Sequence, residues 1–394
     1  MMKLLGGLAV LGVAAVLTGC ATAPGRYGPP EDNHPPPPLP PPAARPGGPP
    51  FAWSDLPGWR QEDHLAALGA LKAACTASRD PTLAAVCDEA RAEPPQTEEQ
   101  ARAFFEANFR PEAIDGEGVL TGYFAPEYEA RRTFEPPFTA AVRARPSAMD
   151  VLLAATAGPD APADPPTLAP DGTDTVDLQP DRAAIAAIPA TDSQAWLRPE
   201  DLFVMQIQGS GVLTMPDGQR VKAVFAGSNA KPFVGLARVM REEGLIDDAH
   251  SSGDAIRAWL AAHRGPEAEA VMNRNPRYVY FTLKPDDGRE PAGAAGIPLP
   301  PGRALAMDST RHGFGELYYI DGRTPALSGA FPTYQRVAAA LDVGGAIKGD
   351  VRADLYFGTG DAAGREAGRV RHVLKLYRLR PVRNAGYATL ASTR

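Results

Sequence analysis

The sequence predicts a mainly β fold with peripheral helices, organised around a small closed barrel. The last third of the chain breaks into short apolar runs at 303–308, 315–320, 334–341, 352–357 and 370–377, separated by Gly and Pro. That is the texture of a barrel with tight turns. Proline and glycine are abundant, 42 and 39 residues, which excludes an all-helical fold. Helical periodicity is confined to a few segments. One starts near Gln61, with Leu65, Leu68 and Leu71 on one face. Another starts at Thr97-Glu98-Glu99-Gln100, a capping box, and runs into Phe104, Phe105 and Phe109. Two more lie near 233–244 and 253–264.

Between the helical start and the barrel-like end, strands alternate with turns. Val119–Phe124 reads as a strand, as does Tyr278–Leu283. Phe203–Gln208 reads as a strand leading through the turn Met215-Pro216-Asp217-Gly218, so that Phe203–Phe225 is expected to form a hairpin. Residues 158–181 are rich in Pro and Asp with little to bury, and read as a surface loop. At 394 residues, two to three domains are expected. The formal charge of -7 argues against a nucleic-acid partner, whose phosphates select a basic face. Three cysteines and six scattered histidines offer no zinc spacing, so neither a metal nor a cofactor is expected.

The N-terminus reads as a targeting signal. Lys3 precedes the apolar stretch 4–18, which is short for a membrane span, and the run ends in Leu17-Thr18-Gly19-Cys20. This tetrapeptide resembles the bacterial lipobox. Residues 1–19 would then be a lipoprotein signal peptide and Cys20 the lipidated first residue, with Ala21 pointing to the outer membrane. The expected location is an outer-membrane lipoprotein facing the periplasm. Residues 21–50 hold 13 of the 42 prolines and read as a polyproline-II spacer. In an oxidising compartment Cys75 and Cys87 change meaning. They sit on two helix-like stretches joined by residues 78–81, where a disulfide worth roughly 2–4 kcal/mol would close a small loop. Two buried free thiols are the alternative.

Three clusters could carry chemistry. Asp342 ends one predicted strand and Asp354 lies in the next, with Gly344, Gly345 and Gly349 between them. Two carboxylates facing one cleft suit acid/base work at a glycosidic bond; strand-end aspartates bonding their own turns are the plainer reading. A phosphate-binding loop is a poor match, because Lys348 is followed by Gly349. In Gln206-Ile207-Gln208-Gly209-Ser210-Gly211, strand alternation would put both glutamines on one face toward a sugar, or toward solvent. Thr121-Gly122-Tyr123 offers a ring for stacking, or for core packing.

In order along the chain, TGYFAP (121–126), QIQGSG (206–211), AGSNAKPF (226–233), NPRYVYF (275–281), AMD (306–308), LDVGGAIKG (341–349) and ADLYFG (353–358) resemble the motif set of the membrane-bound lytic murein transglycosylase A family. Ala230, Lys231 and Phe233 depart from the family's usual Gly, His and Tyr, and Ala125 stands where many members have Glu. The resemblance implies a double-psi β-barrel formed by 51–127 and 273–394, with 128–272 as a smaller inserted β-rich domain and a glycan groove between the two. It implies a non-hydrolytic lyase that cleaves the MurNAc–GlcNAc bond of peptidoglycan and leaves 1,6-anhydro-MurNAc ends. Asp354 would be the catalytic acid/base, Asp342 its helper and Asp308 a structural barrel aspartate. Thr121, Gly122, Tyr123, Gln206, Gln208, Gly209, Ser210, Gly211, Gly344, Gly345 and Lys348 would bind substrate. Glycan strands are the expected partner, with proteins of cell-wall synthesis or division as further candidates. A hydrolytic glycosidase on the same barrel and a non-catalytic wall-binding protein remain the alternatives.

Overall fold

The computed structural model describes residues 51–146, 180–190, 193–247, 251–327 and 329–382. The apolar leader, Cys20, the proline-rich spacer and nearly all of 158–181 lie outside the described residues. The described part opens with α1 (His64–Ala77), α2 (Pro81–Ala92) and α3 (Glu98–Asn108). There follow β1 (Phe109–Ala113), β2 (Gly118–Ala125), β3 (Glu127–Glu129), β4 (Ala140–Ala141), α4 (Arg182–Ala187), β5 (Trp196–Leu197) and α5 (Pro199–Gln208). Next come β6 (Ser210–Thr214), β7 (Arg220–Ser228), α6 (Leu236–Glu242), α7 (Gly253–Ala262), α8 (Pro266–Asn273) and β8 (Val279–Pro285). The chain continues through β9 (Ala304–Ala306), β10 (Leu317–Pro325), β11 (Thr333–Asp342), β12 (Arg352–Thr359), α9 (Asp361–Ala367) and β13 (Arg371–Pro381).

Side-chain caps start the first three helices. Asp63 accepts the Ala66 amide at 2.9 Å and Asp80 the Thr82 amide at 2.8 Å. The capping box of α3 is formed: Thr97 accepts from the Gln100 amide at 3.2 Å, and the Gln100 side chain accepts from the Thr97 amide at 3.3 Å. The buried stripe of α1 is His64, Ala67, Ala70, Leu71 and Ala74, a helical face on which Leu65 does not lie, so Leu65 stays exposed. A disulfide between Cys75 and Cys87, with Cα atoms 5.8 Å apart, ties α1 to α2. Reducing it in the folded protein is expected to lower unfolding free energy by about 2–3 kcal/mol, because the freed loop regains its unfolded-state entropy. A urea midpoint unmoved by reductant would refute this.

The barrel is a closed ring. Strands run in the order β13-β10-β11-β9-β12-β2, and β2 pairs back onto β13, while β1 extends from β13. Two pairs are parallel, β11 with β9 and β12 with β2; the others in the ring are antiparallel. Strand alternation divides the buried residues by face. Leu120, Leu305, Tyr318, Ile320, Ala338, Leu355 and Leu374 form one cluster. Tyr123, Ala306, Tyr319, Ala339, Tyr356 and Tyr377 belong to another, which includes Ala70 and Leu71 of α1 and Phe105 of α3. The face that takes the helices is the outside of the barrel; the first cluster fills the inside.

A second sheet has the order β3-β6-β7-β8, with β3 parallel to β6 and the rest antiparallel. Its core includes Tyr128, Leu202, Met205, Leu213 and Phe281. Phe203 reaches a separate helical cluster with Met240, Leu260 and Val271. The strand β8, C-terminal to residue 273, hydrogen-bonds within this sheet along Val279–Pro285.

The expected strand at Phe203–Gln208 is a helix, α5. Apolar and polar residues alternate only over Met205–Gln208, and the flanks decide. Pro199 occupies the first turn with Glu200 and Asp201 behind it, and Gly209 ends the helix in the left-handed conformation at φ 85°. The hairpin therefore begins only at Ser210 and pairs β6 with β7 across the expected Met215–Gly218 turn. With helical spacing, Gln206 and Gln208 cannot share a face.

Candidate active site

Two neighbouring side chains on the outer face of β2 each hold one aspartate. Asp354 on β12 lies in parallel register with Thr121, and the Thr121 hydroxyl donates to its Oδ1 at 2.5 Å. The same hydroxyl accepts from Arg352 Nη2 at 2.9 Å, so its proton is directed at the carboxylate. Two residues along β2, the Tyr123 hydroxyl donates to Asp342 Oδ2 at 2.8 Å. Asp342 closes β11 opposite Ala306 of β9, and Ala306 is also in register with Asp354. The two aspartates thus stand two strand spacings apart, about 10 Å between backbones.

Their electrostatics differ in detail. Burial raises the Asp354 carboxyl above the ordinary aspartate value, the Thr121 hydrogen bond and the Arg352 charge oppose the rise, and the Asp342 charge adds to it. Burial also raises Asp342, against the pull of its donors. Three donors hold it: Oδ1 accepts the Ala294 and Val343 amides, each at 2.9 Å, and Oδ2 accepts from the Tyr123 hydroxyl. Asp308 goes the other way. Burial would raise it, but the Gly349 amide at 3.0 Å, the Thr310 hydroxyl at 2.8 Å and amide at 3.1 Å, and the Lys348 charge hold it down to about 2. An ionised Asp308 anchors the glycine loop that separates Asp342 from Asp354.

Asp354 opens into a pocket of about 200 Å³ lined also by Gln206, Gly344, Gly345, Arg277 and Arg352. A single carboxylic acid, oriented by a hydroxyl and raised by burial, can give a proton to a ligand in that pocket and take one back.

Residues 119–282 match the family described as the MltA specific insert domain, and 303–380 match the 3D domain, which spans Asp308, Asp342 and Asp354. The membrane-bound lytic murein transglycosylase A of Vibrio cholerae is 34% identical over 187 residues, covering 45% of this chain and 49% of that protein. The match spans about half the length of such curated relatives. The crystal structure of a membrane-bound lytic murein transglycosylase from Agrobacterium tumefaciens is 30% identical with a TM-score of 0.67, over 84% of this chain and 97% of that one. The chain belongs to the membrane-bound lytic murein transglycosylase A family. The lytic transglycosylase LtgG of Burkholderia pseudomallei also aligns, at 27% identity and a TM-score of 0.59, over 86% of this chain and 97% of that one.

Set in this family's fold, the sequence-predicted residues separate into groups. Asp354, Gln206, Gly344 and Gly345 share the pocket, with Thr121 bonded to Asp354. Tyr123 is buried and bonds Asp342, so its ring packs rather than offering a platform. The Gln206 amide is spoken for within the protein: it accepts from Arg182 Nη1 at 2.6 Å and donates to the Val279 carbonyl at 3.0 Å. Gln208 accepts the Phe124 amide at 3.1 Å, joining α5 to β2. Gln208 and Gly122 line a different pocket of about 260 Å³, beside Asp254, Arg257 and Asp361. Gly209 caps α5, while Ser210 and Gly211 begin β6, outside the residues that line the Asp354 pocket. Lys348 is exposed, 3.7 Å from Asp308.

The arginines of the pocket escaped the sequence reading. Arg352 had a usable signal, since it lies two residues before Asp354 on one strand face. Arg277 stands inside the NPRYVYF motif, without a partner that spacing could reveal. Arg182 follows the Pro- and Asp-rich segment, and nothing local marks it as the residue that donates to Gln206 and to the Asn275 and Arg277 carbonyls.

The raised Asp354 carboxyl carries a stability consequence. A carboxyl whose folded value exceeds its unfolded one stabilises the fold while protonated and loses that contribution as pH rises through the folded value. Asp354→Asn is neutral throughout. Its melting temperature relative to that of the unsubstituted protein is expected to be highest at pH 8 and to fall as pH is lowered toward 4. Parallel melting curves with a constant offset across that range would count against the raised carboxyl.

Proposed function

We propose that this chain is a lytic transglycosylase that cleaves the MurNAc–GlcNAc bond of peptidoglycan and leaves 1,6-anhydro-MurNAc ends. Asp354 protonates the glycosidic oxygen as the bond breaks. The resulting carboxylate then takes the proton of the MurNAc C6 hydroxyl as that oxygen closes on C1. The nucleophile is tethered to the reacting sugar, so no bound water has to be activated. Asp342 stabilises the positive charge that develops at C1, and Asp308 holds the glycine loop.

The observation that favours this over hydrolysis is the donor set of Asp342, which takes three of the roughly four hydrogen bonds a carboxylate can accept. A hydrolase of the inverting kind needs a second carboxylate free to activate water. Here three donors already occupy Asp342. We assign the glycan groove to the junction of a barrel built from 51–127 and the C-terminal strands with an inserted part around 128–272, to which β8 attaches by pairing. Cys20 is proposed to carry the lipid that holds the protein at the outer membrane, facing the periplasm, with 21–50 as the spacer. Among the described residues no helix is long and apolar enough to cross a membrane.

Digestion of purified sacculi followed by mass spectrometry tests the reaction. Anhydro-muropeptides, one water lighter than the reducing-end products, are expected. Reducing MurNAc ends would make the enzyme a hydrolase, and no soluble product would make it a binding protein.

A further inference from the structure

The Asp354 pocket is lined by three guanidinium groups, Arg182, Arg277 and Arg352, against that one aspartate. Two of them are committed inside the protein. Arg182 is buried and its Nε, Nη1 and Nη2 all donate, to the Asn275 carbonyl, Gln206 and the Arg277 carbonyl. Arg352 donates to the Val119 and Ala353 carbonyls and to Thr121. Arg277 differs. Among the described residues its guanidinium makes one hydrogen bond, to the Lys231 carbonyl at 3.2 Å, and no carboxylate forms an ion pair with it. Gly345 opens the space in front of it: a Cβ there would stand 3.3 Å from Arg277 Cζ. The guanidinium is half-buried, where an unpaired charge is costly and a bound anion is favoured.

We infer that Arg277 is a specificity residue that takes a carboxylate of the glycan substrate. The inference rests on the proposed activity and deepens it. GlcNAc polymers are neutral. MurNAc differs from GlcNAc by a lactyl ether on O3, which presents a carboxylate when unsubstituted and carries a peptide stem with its own carboxylates otherwise. The planar fork of an arginine matches either carboxylate with two parallel hydrogen bonds. Arg277 would thereby let the pocket separate murein from chitin-like glycans beside the acid that cleaves it.

The test is equilibrium binding in an Asp354→Asn background, so that ligands persist. Three ligands are compared: chitohexaose, peptide-free murein glycan, and stem-bearing murein glycan. Adding Arg277→Ala is expected to weaken binding of murein glycan about 10- to 100-fold, the range for a charge-assisted pair, and to leave chitohexaose within about twofold. The murein effect should shrink as salt is raised. An effect confined to the peptide-free strand assigns the lactyl carboxylate; one confined to the stem-bearing strand assigns a stem carboxylate. Arg277→Lys should recover part of the murein affinity and shares the fold if Arg277→Ala proves unstable. Equal weakening on chitohexaose, or no weakening on either murein ligand, overturns the inference while leaving the proposed activity standing. Failure of the Asp354→Asn protein with Arg277 intact to bind any murein glycan would sink both.

Discussion

Asp354→Asn is expected to lower turnover on sacculi by about 10²–10⁴-fold while leaving glycan affinity within a few-fold. The substitution keeps size and shape. The Thr121 hydroxyl can still donate to the amide oxygen, so β12 and β2 keep their register and the pocket keeps its walls. What is lost is the ability to release and retake a proton, and in the proposed reaction one group does both. An acid alone, with a separate base, would leave part of the rate after its removal; a single group serving both steps leaves little. Measured by release of soluble muropeptides, the loss should appear in kcat rather than in binding. Near-normal turnover in Asp354→Asn would end the assignment. Loss of binding in equal measure would show that the residue shapes the groove rather than moving protons.

The barrel was legible because its strands obey rules that need no tertiary information. Apolar runs of six to eight residues between Gly and Pro locate the starts of β10 through β13 to within two residues, and the box at Thr97 places α3. The error at Phe203–Gln208 came from ranking alternation above end signals. Only Met205–Gln208, M-Q-I-Q, alternates; Pro199, Glu200, Asp201 and Gly209 bracket a helix, and the tertiary core accepts Leu202, Phe203 and Met205 on helical spacing. The helices α4, α8 and α9 are six to eight residues long, too short for periodicity to rise above noise. In the candidate site, Asp342 and Asp354 could be picked out by their flanking glycines. That Thr121 and Tyr123 serve different aspartates could not, because it depends on closing the barrel between β2 and strands more than 200 residues away. Arg352 depends on the same closure, through Val119 and Thr121 of β2, whereas Arg182 on α4 and Arg277 just before β8 reach the pocket from outside the barrel ring.

Asp342→Asn should cost about 10²-fold in kcat, the scale for removing one well-placed electrostatic stabiliser, and should also move the pH profile. The direction follows from the causes acting on Asp354. The negative charge of Asp342 helps raise the Asp354 carboxyl, so removing it lets that carboxyl fall. The protonated fraction of Asp354 then declines at a lower pH, and the basic limb of the activity profile shifts to the acid side. Tyr123→Phe separates charge from geometry. It takes away one hydrogen bond from Asp342 and raises that carboxyl further, but leaves two amide donors in place. Where Asp342 remains ionised, the Tyr123→Phe profile should keep its basic limb while kcat falls modestly, about tenfold or less. A purely structural Asp342 predicts a different pattern: both variants would lose stability together, and kcat of the folded protein would stay near normal even where the limb moves. Full pH–rate profiles of the two variants, with melting temperatures alongside, decide between these accounts. An unmoved limb in Asp342→Asn with near-normal kcat would remove Asp342 from the chemistry and leave Asp354 to act alone.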